Sequence, residues 1–145
     1  MRTIDPDLLA AALAEALETM AFIGVEPPSD PPPAEALNVT LAFFGPISGQ
    51  LSLRAPAALG TTIAANLSAV DAASVAPAQA ADALRELTNV TAGLLLRQVC
   101  TTAEMPQLAI PVVSAAQADA ALHDACSATL CADGHPITVS IRTHA

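Results

Sequence analysis

The sequence has no tryptophan and no tyrosine, and its three phenylalanines leave aromatics at 2% of 145 residues. Rings cannot fill the interior, so a core has to be assembled from alanine, leucine, valine and isoleucine. Basic residues are scarce as well, five against fourteen acidic ones, for a net charge of -9. Such a surface repels phosphate backbones and anionic lipid, so neither nucleic acid nor a membrane is expected as a partner. A leader or membrane span is not expected either. Leu8 to Val25 is apolar, but Glu15 and Glu18 interrupt it, and Asp5 and Asp7 stand where a leader carries positive charge. The expectation is a soluble, cytoplasmic protein. Cys100, Cys126 and Cys131 are odd in number and lack the spacing of a disulfide framework, which fits reduced thiols. His123, His135 and His144 come late and no G-x-S-x-G elbow accompanies them, so nothing supports a Ser/His/Asp hydrolase. Nor is there a glycine-rich phosphate loop: Gly45-Pro46-Ile47-Ser48-Gly49 joins two strand-like stretches and has no helix after it to hold an anion.

What is present is enough for one folded domain spanning 1–145. Hydrophobic residues make up 53%, far above the level of disordered chains, and a chain of this length buries about two-thirds of its surface. Asp5-Pro6-Asp7 is a helix start, with an N-cap acid and proline at the first helical position. The helix is expected to run to Met20 with Leu9, Leu13, Leu17 and Met20 inward, and then to give way to a short extension or strand over Phe22 to Val25. Residues 26–33, EPPSDPPP, form a proline-rich surface loop, since proline fixes φ and lacks a donor. Leu37 to Phe44 and Gln50 to Ala55 alternate as a β-hairpin around the 45–49 turn. Pro56 opens a helix to about Leu67 that covers Ala58, Leu59, Ile63 and Leu67, and a long helix runs from about Ala78 to Val99. Gln107 to Val113 is a strand broken by Pro111, which implies an edge, an end or a bulge. Gln117 to Asp124 suits a short helix, and Ser127–Cys131 and Pro136–Arg142 are strands joined at Asp133-Gly134, a strong hairpin signal. The order predicts an α/β (α+β) sandwich, an antiparallel or mixed sheet with two long helices packed on it.

The chain is organised around the long helix. Asp82, Glu86 and Asn89 are spaced four and then three apart, which stacks them on one helical face. Gly93 lies one turn later on that face, where a glycine leaves room for another surface. Leu84, Leu87, Val90 and Leu94 supply the opposite, core-seeking face. In isolation a D-x3-E-x2-N pattern is an ordinary solvated face, and it gains meaning only together with Gly93 and the more distant Pro111. A second constellation, His123, Cys126, Cys131 and His135, superficially offers four zinc ligands. Cys126 and Cys131 are an odd number of residues apart and would point to opposite sides of one strand, so no metal is assigned.

Asp82-x3-Glu86-x2-Asn89 with a later Pro111, and with Gly93 one turn on from the Glu86/Asn89 pair, resembles the signature of the CheC/CheX/FliY family of chemotaxis phosphatases. The 45–49 turn after an apolar strand and Leu17-Glu18-Thr19-Met20 at the end of the first helix agree, and the likeness is closest to CheX, with its single active helix. Setting Glu15 on Glu86 puts Glu18 on Asn89 and Ala11 on Asp82, a faint sign of an old duplication. The resemblance implies a phosphatase acting on the aspartyl-phosphate of a CheY-like receiver domain in two-component signalling. Asn89 would orient the attacking water and Glu86 would anchor the receiver's lysine, the two catalytic positions. Asp82 and Gly93 would contact the partner, and Pro111 would shape the strand beside the helix. The protein would need no cofactor of its own, because Mg2+ comes with the receiver. Family members pair through their sheets, so a homodimer is expected, with exposed edge strands as the physical basis. A non-catalytic receiver-binding scaffold or a dimerisation domain on the same fold is the alternative.

Overall fold

A computed structural model describes residues 3–28, 30, 35–100, 104–114 and 126–144. The first helix, α1 (Pro6–Ala21), is capped by Asp5, whose carboxylate accepts from the Leu8 amide at 2.8 Å. It ends at Phe22, a bulky residue in the left-handed region at φ 59. The Phe22 amide donates to the Glu18 carbonyl, the bond of a left-handed αL stop, and the Ile23 amide donates to the Leu17 carbonyl. After the two-residue strand β1 (Val25–Glu26) come the hairpin strands β2 (Leu37–Phe44) and β3 (Ser48–Ala55), then α2 (Ala57–Ser68). A 3-10 turn over Ala72–Ser74 leads into α3 (Pro77–Val99), the longest element at 23 residues. The remaining strands are β4 (Gln107–Leu108), β5 (Val112–Ser114), β6 (Cys126–Ala132) and β7 (His135–His144).

These strands form one sheet in the order β1-β6-β7-β3-β2-β4, with β5 also on β2 and every pairing antiparallel. Register puts Val39, Leu53 and Val139 in one row and Leu41, Leu51 and Ile141 in the next, all of them buried. With Phe43, the largest fully buried side chain, these rows meet the inner faces of α1 and α3 in a single core. α1 packs over β6 and β7, α3 over β2, β3 and β5, and α2 lies mainly against α3. The alternate row Asn38, Arg54, Thr138 and Thr129 runs along the other face, half-buried and polar. Alternation at period two therefore sets which side of every central strand meets the helices.

Several expectations are refined by this arrangement. The sheet is antiparallel and, among the described residues, carries three helices, α2 being shorter than the other two. Gly49 belongs to β3 and not to the turn: an added Cβ would strike the Arg142 carbonyl and lie 2.9 Å from the Thr143 Cα, so β7 approaches as closely as it does only because Gly49 has no side chain. The turn itself is made by Gly45, at φ 142. The 107–113 strand is split into β4 and β5 around the buried Pro111, both on the β2 edge. Asp133 and Gly134 take φ 51 and 77, the double positive φ that a two-residue hairpin demands. In α2 only Leu59 and Ile63 of the expected inward set are buried, whereas Ala58 and Leu67 are exposed. The expected helix over 117–124 and half of the proline run lie outside the described residues. Glu26, at the start of that run, pairs with Cys131 as part of β1.

Candidate functional site

Pro77 sits at the first position of α3, and the Gln79 side chain accepts from the Ala76 amide at 2.7 Å, closing the entry turn. From there Leu84, Leu87, Leu95, Leu96 and Val99 are buried against the sheet and the neighbouring helices. Thr88 and Thr91 are buried among them, and their hydroxyls donate back to the carbonyls of Leu84 and Leu87 at 2.8 and 2.7 Å. That local bonding satisfies two polar groups inside an apolar face without outside partners. Val90 and Leu94, expected in the core face, are only partly buried on its flank. The helix axis is thus fixed from below along its whole length.

The opposite side of α3 holds Asp82, Glu86, Asn89 and Gly93 together. Asp82 and Glu86 are exposed, and Asn89 and Gly93 are half-exposed. Asp82 is engaged by Arg85 at 2.9 Å, an i,i+3 pair open to solvent that contributes little to stability. Glu86 and Asn89 make no hydrogen bond or ion pair among the described residues. A carboxylate and a carboxamide three residues apart on a helix have their Cβ atoms about 5–6 Å from each other, and both are left facing outward. Beside them, a Cβ built on Gly93 would meet nothing within 4 Å, so no packing among the described residues requires a glycine there. A glycine inside a helix costs roughly 0.5–1 kcal/mol relative to alanine, and the described residues offer no internal reason for bearing that cost.

Pro111 stands apart from this face, buried in the sheet edge between β4 and β5. α1 presents Ala11, Glu15 and Glu18 as exposed residues, matching the disposition expected from setting it on α3, but no amide. The zinc set does not assemble. Cys126 is opposite Ile141 on the helix-facing side of the sheet, and Cys131 is opposite Pro136 on the other. Burial raises the Cys126 thiol and the Asp5 carboxylate adds to the rise, disfavouring the thiolate a metal would need. His123 lies outside the described residues, among which no cluster of metal ligands occurs. A neighbour not expected from the pattern is α2: Ala64 and Leu67 line a cleft with Asp82, Ala83 and Glu86 of α3. Leu67 continues the stripe of Leu59 and Ile63, so its hydrophobic spacing reads as core, and only the packing of the two helices leaves it at the surface.

The model of the CheX family, described as the chemotaxis phosphatase CheX, matches residues 37–131. No curated protein matches the chain by sequence. Among solved structures, the chain is similar to the chemotaxis protein CheX from Vibrio vulnificus, with a TM-score of 0.72, 18% identity and 95% of each chain covered. It is similar also to a chemotaxis protein from Desulfovibrio vulgaris Hildenborough, with a TM-score of 0.70, 15% identity and 95% of each chain covered. A third likeness is to the CheX-CheY-BeF3-Mg2+ complex from Borrelia burgdorferi, with a TM-score of 0.66, 16% identity, and 96% of this chain and 97% of that one covered. At these identities the solved structures establish the fold. The family model, which spans more than half of the chain, establishes the kinship.

Proposed function

The chain belongs to the CheX family of chemotaxis phosphatases, and from that premise we propose that it hydrolyses the aspartyl-phosphate of a CheY-like receiver domain. The observation that carries this is the uncommitted pair Glu86 and Asn89, held outward on a helix whose other face is locked in the core. An acyl phosphate is already reactive, and the missing ingredient is a water held in line with the phosphorus. The Asn89 carboxamide carries both a donor and an acceptor, so it can fix a water by two contacts without charging the site. A glutamine positions water in small GTPases in a comparable way. The water oxygen bonds to phosphorus, the P–O bond to the receiver's aspartate breaks, and inorganic phosphate leaves with the aspartate returned as a carboxylate. Aligning the water contributes about a hundredfold in rate or more, a few kcal/mol of barrier.

Glu86 sits one turn from Asn89 and pairs with a lysine of the receiver, which sets the depth at which Asn89 reaches the phosphoryl group. Asp82, tied to Arg85, is a peripheral contact, and the bare surface at Gly93 lets the receiver's backbone come close. This chain needs no metal of its own. Mg2+ travels with the receiver and offsets phosphoryl charge there, as the composition of the Borrelia burgdorferi complex suggests. The substrate is cytoplasmic, and so is the enzyme. We extend the proposal to a homodimer made through the sheet edge at β4 and β5, where Ile110 is 85% and Val112 63% exposed.

Phosphate release from a phosphorylated CheY-like receiver of the same organism tests the activity. Wild type should accelerate release, and Asn89→Ala should abolish the acceleration while still binding the receiver. Asn89→Asp should fail as well, because it sets an anion against the phosphoryl group. Release unchanged by wild type, despite binding, would turn the assignment to a non-catalytic receiver-binding domain.

A further inference from the structure

The sheet is left open along most of its β6 edge. β6 runs Cys126–Ala132, but β1 takes up only Ala132 and Cys131, opposite Val25 and Glu26. Continuing that register would set Pro27 against Leu130 and Pro28 against Thr129, and neither proline has an N–H to donate. The pairing stops there, and among the described residues no other strand or backbone group bonds to the outer side of 126–130. Alternate residues of that stretch therefore turn their N–H and C=O groups outward, a template for one more strand. Its two rows are unlike: Ala128 and Leu130 pack partly buried against the core, whereas Ser127 and Thr129 belong to the other face of the sheet.

Carboxylates stand at both ends of the open stretch. At its start, burial raises the Cys126 thiol and Asp5 is close enough to add to the rise. At its end, Glu26 and Asp133 line a cleft with Cys131. α1, packed over β6, exposes Asp7, Glu15 and Glu18 and bears no basic residue. Cys126 and Cys131 are about 17 Å apart along an extended strand, so one short segment reaches both acidic ends. A second copy of this chain does not suit the edge. In a two-fold antiparallel pair, the Asp5 end of one β6 would meet the Glu26 and Asp133 end of the other, acid against acid.

We propose that the β6 edge takes an extended basic peptide as an added strand. The peptide backbone bonds to 126–130, its apolar side chains cover Ala128 and Leu130, and a lysine or arginine at each end meets the carboxylates. The site is separate from the α3 face that carries Glu86 and Asn89. α3 covers β2, β3 and β5, whereas β6 lies under α1, so the peptide leaves Asn89 free. The partner is a protein with a basic extended tail or loop, which tethers the chain without occupying that face.

The probe is a short synthetic peptide with arginine at each end and valine alternating with threonine between, titrated against the full chain at low salt. The same peptide with glutamate ends is the control. The arginine peptide should bind about tenfold tighter than the control, an advantage that added salt removes. Asp5→Asn, Glu26→Gln and Asp133→Asn together should weaken its binding about tenfold. The fold tolerates these changes, because asparagine caps a helix and enters a two-residue hairpin turn as readily as aspartate. Hydrogen exchange should show amides of 126–130 slowed by the bound peptide. Asn89→Ala should bind the peptide as wild type does. Equal binding of the two peptides, or exchange at 126–130 unchanged by a bound peptide, would overturn the proposal. Protection of every amide of 126–130 in the free chain would overturn it too. If that protection rose with protein concentration, a second copy would fill the edge; if it did not, a segment of this chain would.

Discussion

Two residues take conformations or identities that internal packing does not explain. Phe22 adopts φ 59 with its ring 82% exposed, so it accepts left-handed backbone while burying almost nothing. That conformation costs a non-glycine residue roughly 1–2 kcal/mol, and glycine is the usual occupant of this position after a helix. Phe22→Gly should therefore stabilise the fold by about 1 kcal/mol, after the greater freedom of glycine in the unfolded chain is counted. A thermal melt should show the midpoint rising by about 2–4 °C. Gly93 is the converse case, a flexible residue inside a helix with open space around it. Gly93→Ala should raise stability by roughly 0.5–1 kcal/mol and, by adding a methyl to the docking face, weaken receiver binding measured by titration. Gain of stability with loss of binding would separate a functional glycine from an accidental one. Unchanged binding would remove Gly93 from the interface.

At the scale of elements, the packing of α2 on α3 decides which side chains flank Glu86. α3 is straightforward to find in sequence, because its leucines and its polar face recur at helical spacing. α2 is equally legible as a helix, but which of its residues stay outside depends on where α3 crosses it. Gly60 sets that crossing, as its missing side chain lets the Ala80 carbonyl approach. Gly60→Ala should force the helices apart, destabilising the protein by about 1–3 kcal/mol as overpacking does, even though alanine is the better helix former. Chemical denaturation should show the loss. A neutral or stabilising Gly60→Ala would mean that α2 can shift freely on α3, and that the cleft beside Glu86 is not a fixed feature.

For the molecule as a whole, the two edges of the sheet differ. One ends in the short β1, whose Glu26 pairs with Cys131, and a short charged edge is protected against pairing with another copy. The other ends in β4 and β5, broken at Pro111, with Phe44, Leu108, Ile110 and Val112 all exposed. Among the described residues no strand lies beyond it. A net charge of -9 keeps such molecules apart at long range, and only a matching apolar strip overcomes that at contact. Ile110→Lys should leave the fold intact and convert a dimer to a monomer in light scattering coupled to gel filtration. A wild type that is monomeric at micromolar concentration would dismiss the sheet-edge dimer.

Local signals along the chain are sufficient for most of the elements and for the inner faces of α1 and the central strands. Asp5-Pro6 announces α1, Asp133-Gly134 announces the last hairpin, and alternation through Leu37–Phe44 separates core from surface, because each signal acts within a few residues of itself. The face bearing Asp82, Glu86, Asn89 and Gly93 is legible for the same reason, since helical spacing alone aligns them. Packing in three dimensions was required to make Leu67 a surface residue beside Glu86 and to make a neighbouring strand depend on Gly49. Each of those depends on an element distant in sequence coming within a few ångströms, and no local pattern encodes the distance between two backbones.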